Sequence, residues 1–205
     1  FVFRDRKLRI LMALSWLVGL AVIPEGLAAP LAEQMGSAPG TVGLLLAADP
    51  LGFIIGTFVI SRFVPPELRP RLVGVLATAS VGVLTLFILK PNLVLALLLL
   101  GLAGAVGAYQ ITVMAVFNSI VPNEIRGAAF GAARTGLRVA QGLGVALGGA
   151  VAQLLGSAAT TIALAGVIGV VIAIPCSIGW SRLNAPRESN SGHANTTAPA
   201  QQHQT

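Results

Sequence analysis

Charge is what this chain has least of. Asp, Glu, Lys and Arg make up 10% of its 205 residues, against 55% hydrophobic residues. A soluble domain carries about 25% charged residues, so a chain this poor in charge cannot cover a surface facing water. Lipid must solvate much of it. A single cysteine, Cys176, excludes an internal disulfide and has no basic neighbour to activate it. The two histidines, His193 and His203, lie in the tail, where solvation is the expected state. With no histidine in any apolar run, there is no HExxH and no Ser/His pair. Enzyme, metal and cofactor are therefore not expected. The net charge of +6 is not arranged as a basic stripe interleaved with aromatics, so nucleic acid is not an expected partner. Residues Gly142 to Gly148 resemble a dinucleotide fingerprint but hold one residue too many and follow no strand.

What is present is a series of long apolar runs. A helix needs roughly 20 apolar residues to cross ~30 Å of hydrocarbon. Charges and turn residues divide residues 1–183 into six such spans, about 10–31, 41–61, 72–89, 93–121, 126–155 and 158–181. The fifth helix begins near Glu124 in the interface and crosses from about Gly136. Gly156-Ser157 is the turn that separates the last two spans. Barrel strands would be near ten residues with strict alternation, which these runs lack. The expectation is an all-α, six-helix transmembrane bundle followed by a disordered cytoplasmic tail over 184–205, rich in Asn, Ser, Thr and Gln. With the N-terminus inside, twelve of the 13 Lys and Arg residues fall on the cytoplasmic side and only Lys90 outside. This is the pattern of a multi-pass cell-membrane protein with both termini cytoplasmic. Residues 4–29 also have the outline of a secretory signal. Five further spans, and the Pro24-Glu25 pair so late in the run, weigh against it.

Ionisable groups inside hydrocarbon are costly, so each is a functional candidate. Glu25 follows Pro24 in the first span and Asp49 precedes Pro50 in the second. At ~1.5 Å per residue they lie ~9 Å and ~12 Å from the outer ends of their helices. Two carboxyls at similar depth on neighbouring helices would make a proton site that loads and unloads near neutral pH. The adjacent prolines would weaken both helices and suit a gating bend. The alternatives are a Glu25 that snorkels to the interface and an Asp49 that caps a helix break. Tyr109, Gln110 and Thr112, in the inner half of the fourth span, are candidate cavity-lining groups; interhelix hydrogen bonding would use them equally well. Arg134, Arg138 and Gln141 share one face of the fifth helix at the cytoplasmic mouth. With Arg62, Arg69, Arg71, Glu124 and Arg126 they are candidates for a cytoplasmic gate, or for ordinary anchoring with the head groups in water.

Gly127/Gly131 and Gly144/Gly148 form GxxxG pairs on the fifth helix, with Gly149 beside them. Glycine permits the close backbone approach on which association in lipid depends, so these are expected packing or sliding positions.

Six helices with both ends inside resemble one half of a twelve-helix major facilitator superfamily transporter. The basic stretch Arg62 to Arg71 resembles that family's Gly-x-x-x-Asp-Arg-x-Gly-Arg-Arg loop, although Ser61 stands where the family has Asp. Pro122-Asn123-Glu124-Ile125-Arg126-Gly127, leading into Gly144 to Gly149, resembles the corresponding loop and glycine-rich helix. Pro24-Glu25-Gly26-Leu27-Ala28-Ala29-Pro30 and Ala47-Ala48-Asp49-Pro50 are similar to actinobacterial drug-efflux permeases of the family. The resemblance implies the C-terminal half of a proton-coupled exporter of small amphipathic molecules. It also implies a partner: an N-terminal six-helix half upstream of Phe1, or a second copy. A non-transporting membrane component, such as a regulatory remnant of a permease, is the alternative.

Overall fold

A computed structural model describes residues 5–38 and 40–183. The expected tail at 184–205 lies outside the described residues. All regular structure among the described residues is helical. Six helices are long and apolar enough to cross a membrane: Arg6–Gly26, Thr41–Phe63, Arg69–Leu89, Leu93–Ile120, Asn123–Leu155 and Ala158–Leu183. The all-α, six-span bundle expected from composition is the fold observed.

Local chemistry sets the ends. Asp5 caps the first span by accepting from the Lys7 and Leu8 backbone N–H groups at 2.7 and 3.4 Å. Asn92 caps the fourth by accepting from Leu95 N–H at 3.0 Å. Lys90 closes the third span in a left-handed conformation (φ 48°) and Gly156 closes the fifth the same way (φ 63°).

Two spans are not continuous. The first runs as Arg6–Trp16, Val18–Ala21, Ile23–Gly26 and Ala28–Gln34, with breaks at Leu17, Val22 and Leu27. Pro24 has no N–H to give to Leu20, and Glu25 N–H turns to the Val22 carbonyl at 3.0 Å. The fourth span breaks at Ala108, between Leu93–Gly107 and Tyr109–Ile120. Pro50, by contrast, sits inside an unbroken helix. The symmetric bend expected at both prolines is therefore found at Pro24 alone.

The spans pair second with fourth, third with sixth, and first with fifth. Exchanging the first three spans with the last three maps this pairing onto itself, which is the mark of an internal three-plus-three repeat. Each pair meets at glycine. A Cβ on Gly52 would strike the Gly101 carbonyl, one on Gly56 the Ala105 carbonyl, and one on Gly144 the Gly19 carbonyl. One on Gly74 would strike Ser177, and one on Gly166 would come within 2.6 Å of Thr85 N. Gly148 packs on Ile23, so Gly144 and Gly148 fill the packing role expected of them. Gly127, Gly131 and Gly149 do not: nothing lies within 4 Å of a Cβ at any of the three. A pair of glycines four apart marks a face without saying which neighbour covers it.

The buried residues form two clusters. One includes Leu27, Leu31, Phe87 and Ile162, and the other Leu8, Leu11, Val73, Phe117 and Trp180. The second and fifth spans are the least covered: 17% and 11% of their most apolar stretches is buried, against 33–50% in the other four.

The backbone contact predicts a sharp contrast. Gly52→Ala should destabilise the bundle by about 1–3 kcal/mol through overpacking, although alanine favours the helix. Gly131→Ala, with open space around it, should be neutral or stabilise by up to about 1 kcal/mol. Thermal unfolding of the purified chain in detergent reads both; equal shifts would contradict the packing.

Candidate functional site

The interruptions in the first and fourth spans occupy corresponding positions in the two three-helix repeats. In transporters built from such repeats, broken helices mark where cargo and ions bind. Here they flank a cavity of about 310 Å³. Glu25 enters it from the four-residue segment Ile23–Gly26, Asp49 from the unbroken second span, and Tyr109 and Gln110 from the turn that follows the Ala108 break. Phe53, Met114 and Leu137 supply apolar wall. Among the described residues no Lys or Arg lines the cavity, so its two carboxyls face polar uncharged and apolar groups of that lining.

Each acid is held differently. Asp49 is half-buried on a helix whose backbone is clamped to the fourth span: a Cβ on Gly104 would strike the Asp49 carbonyl. Glu25 is exposed on a short segment between the breaks at Val22 and Leu27. Glu25 is the more open of the two, as snorkelling would require, whereas Asp49 caps no helix break, because its helix runs unbroken over Thr41–Phe63. Both carboxyls nevertheless line one cavity.

Tyr109 and Gln110 prove to be both lining and fastener. The Tyr109 hydroxyl donates to the Leu14 carbonyl at 2.9 Å. Gln110 Nε2 donates to the Ser15 carbonyl at 3.0 Å, and Ser15 Oγ donates back to Gln110 Oε1 at 3.0 Å. Gln110 Nε2 also reaches the Tyr109 hydroxyl at 3.3 Å. The cavity floor thus ties the fourth span to the first just before its break at Leu17.

Thr112 is not part of this site. It lies buried on the wall of a different cavity, beside Thr57 and Arg69. Two residues beyond Gln110, a helix has turned by roughly 200°, so the two side chains face opposite ways. Sequence reasoning also missed Ser80, which lines the cavity and donates to the Ala103 carbonyl at 3.1 Å. Its signal was legible as a hydroxyl within the apolar third span.

The proposed gate residues divide. Arg134 and Arg138 border a neighbouring concavity that shares Met114 and Leu137 with the acid-lined cavity. Arg138 Nη1 donates to Gln141 Oε1 at 3.2 Å, and Gln141 itself lines the acid cavity. Arg69 instead caps the end of the second span, giving Nε to the Val64 carbonyl at 2.9 Å and Nη2 to the Ser61 carbonyl at 3.0 Å. Arg126 Nη2 does the same for the fourth span at Val121, at 3.2 Å. Arg62, Arg71 and Glu124 are exposed.

Residues 9–202 match the family model described as Major Facilitator Superfamily. The chain belongs to the major facilitator superfamily. Its match spans all six helices and both broken spans, so the acid-lined cavity lies within the superfamily's own fold. Members of the superfamily are transporters rather than enzymes in general, and the chain is read accordingly as a multi-pass membrane protein of transport. No curated protein matches the chain. No solved structure matches it.

The fasteners on the cavity floor can be weighed. Interhelical hydrogen bonds in lipid contribute about 0.6 kcal/mol on average and at most about 1.7. Gln110→Ala, which removes both bonds to Ser15, should cost about 1–2 kcal/mol of stability in detergent. Tyr109→Phe removes only the bond to Leu14 and should cost less. A Gln110→Ala chain as stable as the parent would refute the fastening.

Proposed function

We propose that this bundle is the C-terminal half of a proton-coupled exporter of small amphipathic molecules, seated in the cell membrane with both termini inside. A companion six-helix bundle, or a second copy, would face it across the cavity. Alternating access needs two repeats rocking about a midplane site, and the second and fifth spans leave the faces for such a partner bare. Efflux and the likeness to actinobacterial drug exporters rest on the stretches around Glu25 and Asp49.

The observation that carries the reading is the convergence of Glu25, Asp49, Tyr109 and Gln110 on one cavity with no basic residue among the described ones. A carboxylate in such a site either binds a proton or pairs with a cation, because nothing in the lining neutralises it. Protonation from the acidic side would discharge the cavity, and release on the other face would recharge it. That alternation couples a proton gradient to which state the bundle occupies. Apolar wall from Phe53, Met114 and Leu137 suits an amphipathic cargo. Arg134 and Arg138 would close the cytoplasmic mouth, with Arg62, Arg69, Arg71, Glu124 and Arg126 ordering the loops around it.

The test is flux in proteoliposomes under an imposed pH gradient, with the chain and its companion bundle reconstituted together. Asp49→Asn should reduce gradient-driven flux to background while insertion and monodispersity stay as in the parent. Glu25→Gln should lower flux as well. Undiminished flux in Asp49→Asn would remove the proton assignment. A stably folded parent that carries no flux with any companion would favour the non-transporting component instead.

A further inference from the structure

A second cavity, of about 270 Å³, lies on the other side of the fourth span from the acid-lined one, at the end of the bundle that carries Arg62, Arg69 and Arg71. It is bounded by the second span, the loop that follows it, the first turn of the third span and the fourth span. Its composition differs from a lipid-facing groove. Ile60, Ile111 and Val116 give apolar wall, while Arg69, Ser61 and Ser119 bring a cation and two hydroxyls to the same space. Among the described residues no carboxylate lines it. Two N–H groups of Arg69 are spent on the Val64 and Ser61 carbonyls. Its Nη1 group remains, and so does its charge, since a carbonyl satisfies a donor without neutralising it. A second, independent sign is Thr57. Its hydroxyl is buried on this wall and has no hydrogen-bond partner among the described residues. A hydroxyl in a lipid-facing helix ordinarily bonds back to its own turn.

We propose that this cavity is a binding site for the phosphate-bearing headgroup of an anionic phospholipid drawn from the leaflet at the basic end of the bundle. The phosphate oxygens are acceptors for the Arg69 guanidinium and the unpartnered Thr57 hydroxyl, while the Ser119 hydroxyl donates to the Val116 carbonyl at 2.8 Å. The acyl chains continue along Ile111, which is 43% exposed, and out onto the apolar face of the second span. Basic pockets between spans are the settings in which such headgroups dock. The site is separate from the transport cavity and does not depend on what that cavity carries. Because the second and fourth spans meet backbone to backbone at Asp49 with Gly104, Gly52 with Gly101 and Gly56 with Ala105, a lipid wedged below those contacts pins the two together.

The test uses the delipidated 205-residue chain in a neutral detergent, with phosphatidylglycerol, phosphatidylcholine or inorganic phosphate added as probes. Native mass spectrometry counts bound lipid, and thermal unfolding reads the stabilisation. The parent and Arg71→Gln should bind phosphatidylglycerol in preference to phosphatidylcholine and unfold at higher temperature with it. Arg69→Gln should weaken that binding roughly tenfold, as expected for a lost charge-assisted contact. Since Arg69 also caps a helix, Ala115→Phe is the companion variant: it fills the cavity from the fourth span and leaves the Arg69 bonds in place. It should weaken binding as much. Three results would overturn the site: wild-type binding in Ala115→Phe, equal losses in Arg71→Gln and Arg69→Gln, or inorganic phosphate stabilising the chain as well as phosphatidylglycerol does.

Discussion

Apolar side chains gain nothing by leaving lipid for one another, so a bundle in a membrane is held by how closely its backbones approach. In this chain that approach is made at glycine in every principal helix pair. Gly52 and Gly56 meet Gly101 and Ala105, Gly19 meets Gly144, and Gly166 meets the turn at Leu84 and Thr85. The contacts fix more than stability. Gly104 seats against the Asp49 carbonyl, so the same interface that joins the second and fourth spans sets the position of an acid in the cavity. Tight packing between these pairs also leaves the second and fifth spans with their other faces bare. The glycines thereby decide which surfaces are lipid or partner surfaces.

Glycine contact and helix interruption are complementary devices. Contact brings two backbones together; a break makes backbone groups and polar side chains available. The first and fourth spans break in equivalent places, at Val22 and Ala108, and the cavity forms between those breaks. Its floor is then closed by hydrogen bonds from Tyr109 and Gln110 to Leu14 and Ser15. The cavity takes Ala103 from one buried cluster and Tyr109 from the other. It sits where the two buried clusters meet.

Much of this was legible in the sequence because lipid imposes a length and a polarity on each crossing. Run length and the placement of Arg and Lys were enough for six helices, and scarcity made Glu25 and Asp49 conspicuous. What composition could not resolve was rotation about each helix axis. Gly127/Gly131 and Gly144/Gly148 are the same pattern, yet only the second pair faces a neighbour. Gly52 and Gly56 carry the pattern too, and their role became visible only with Gly101 and Ala105 opposite them. Gln110 and Thr112 are two residues apart and line different cavities. The breaks at Leu17 and Ala108 have no proline at the break itself. They are set by contacts with other spans, among them the Tyr109 and Gln110 bonds, which no local propensity encodes.

The unequal footing of the two acids follows from the same packing. Asp49 rides on an unbroken helix clamped by Gly104, with Gly52 and Gly56 continuing the clamp along the next turns. Glu25 rides on four residues between two breaks, and that segment packs on the fifth helix through side chains, Ile23 against Gly148 and Val145 against Gly26. A bend at Val22 or Leu27 changes the distance between the carboxyls without disturbing the second and fourth spans. Two carboxyls repel when both are charged and cease to repel when one holds a proton. Under the reading of the cavity as a proton site, a proton entering it would act first on the segment that carries Glu25, whose contacts run through the Ile23 and Val145 side chains and not through touching backbones. On that reading the first span, rather than the proline-bearing second, would convert protonation into a change of shape.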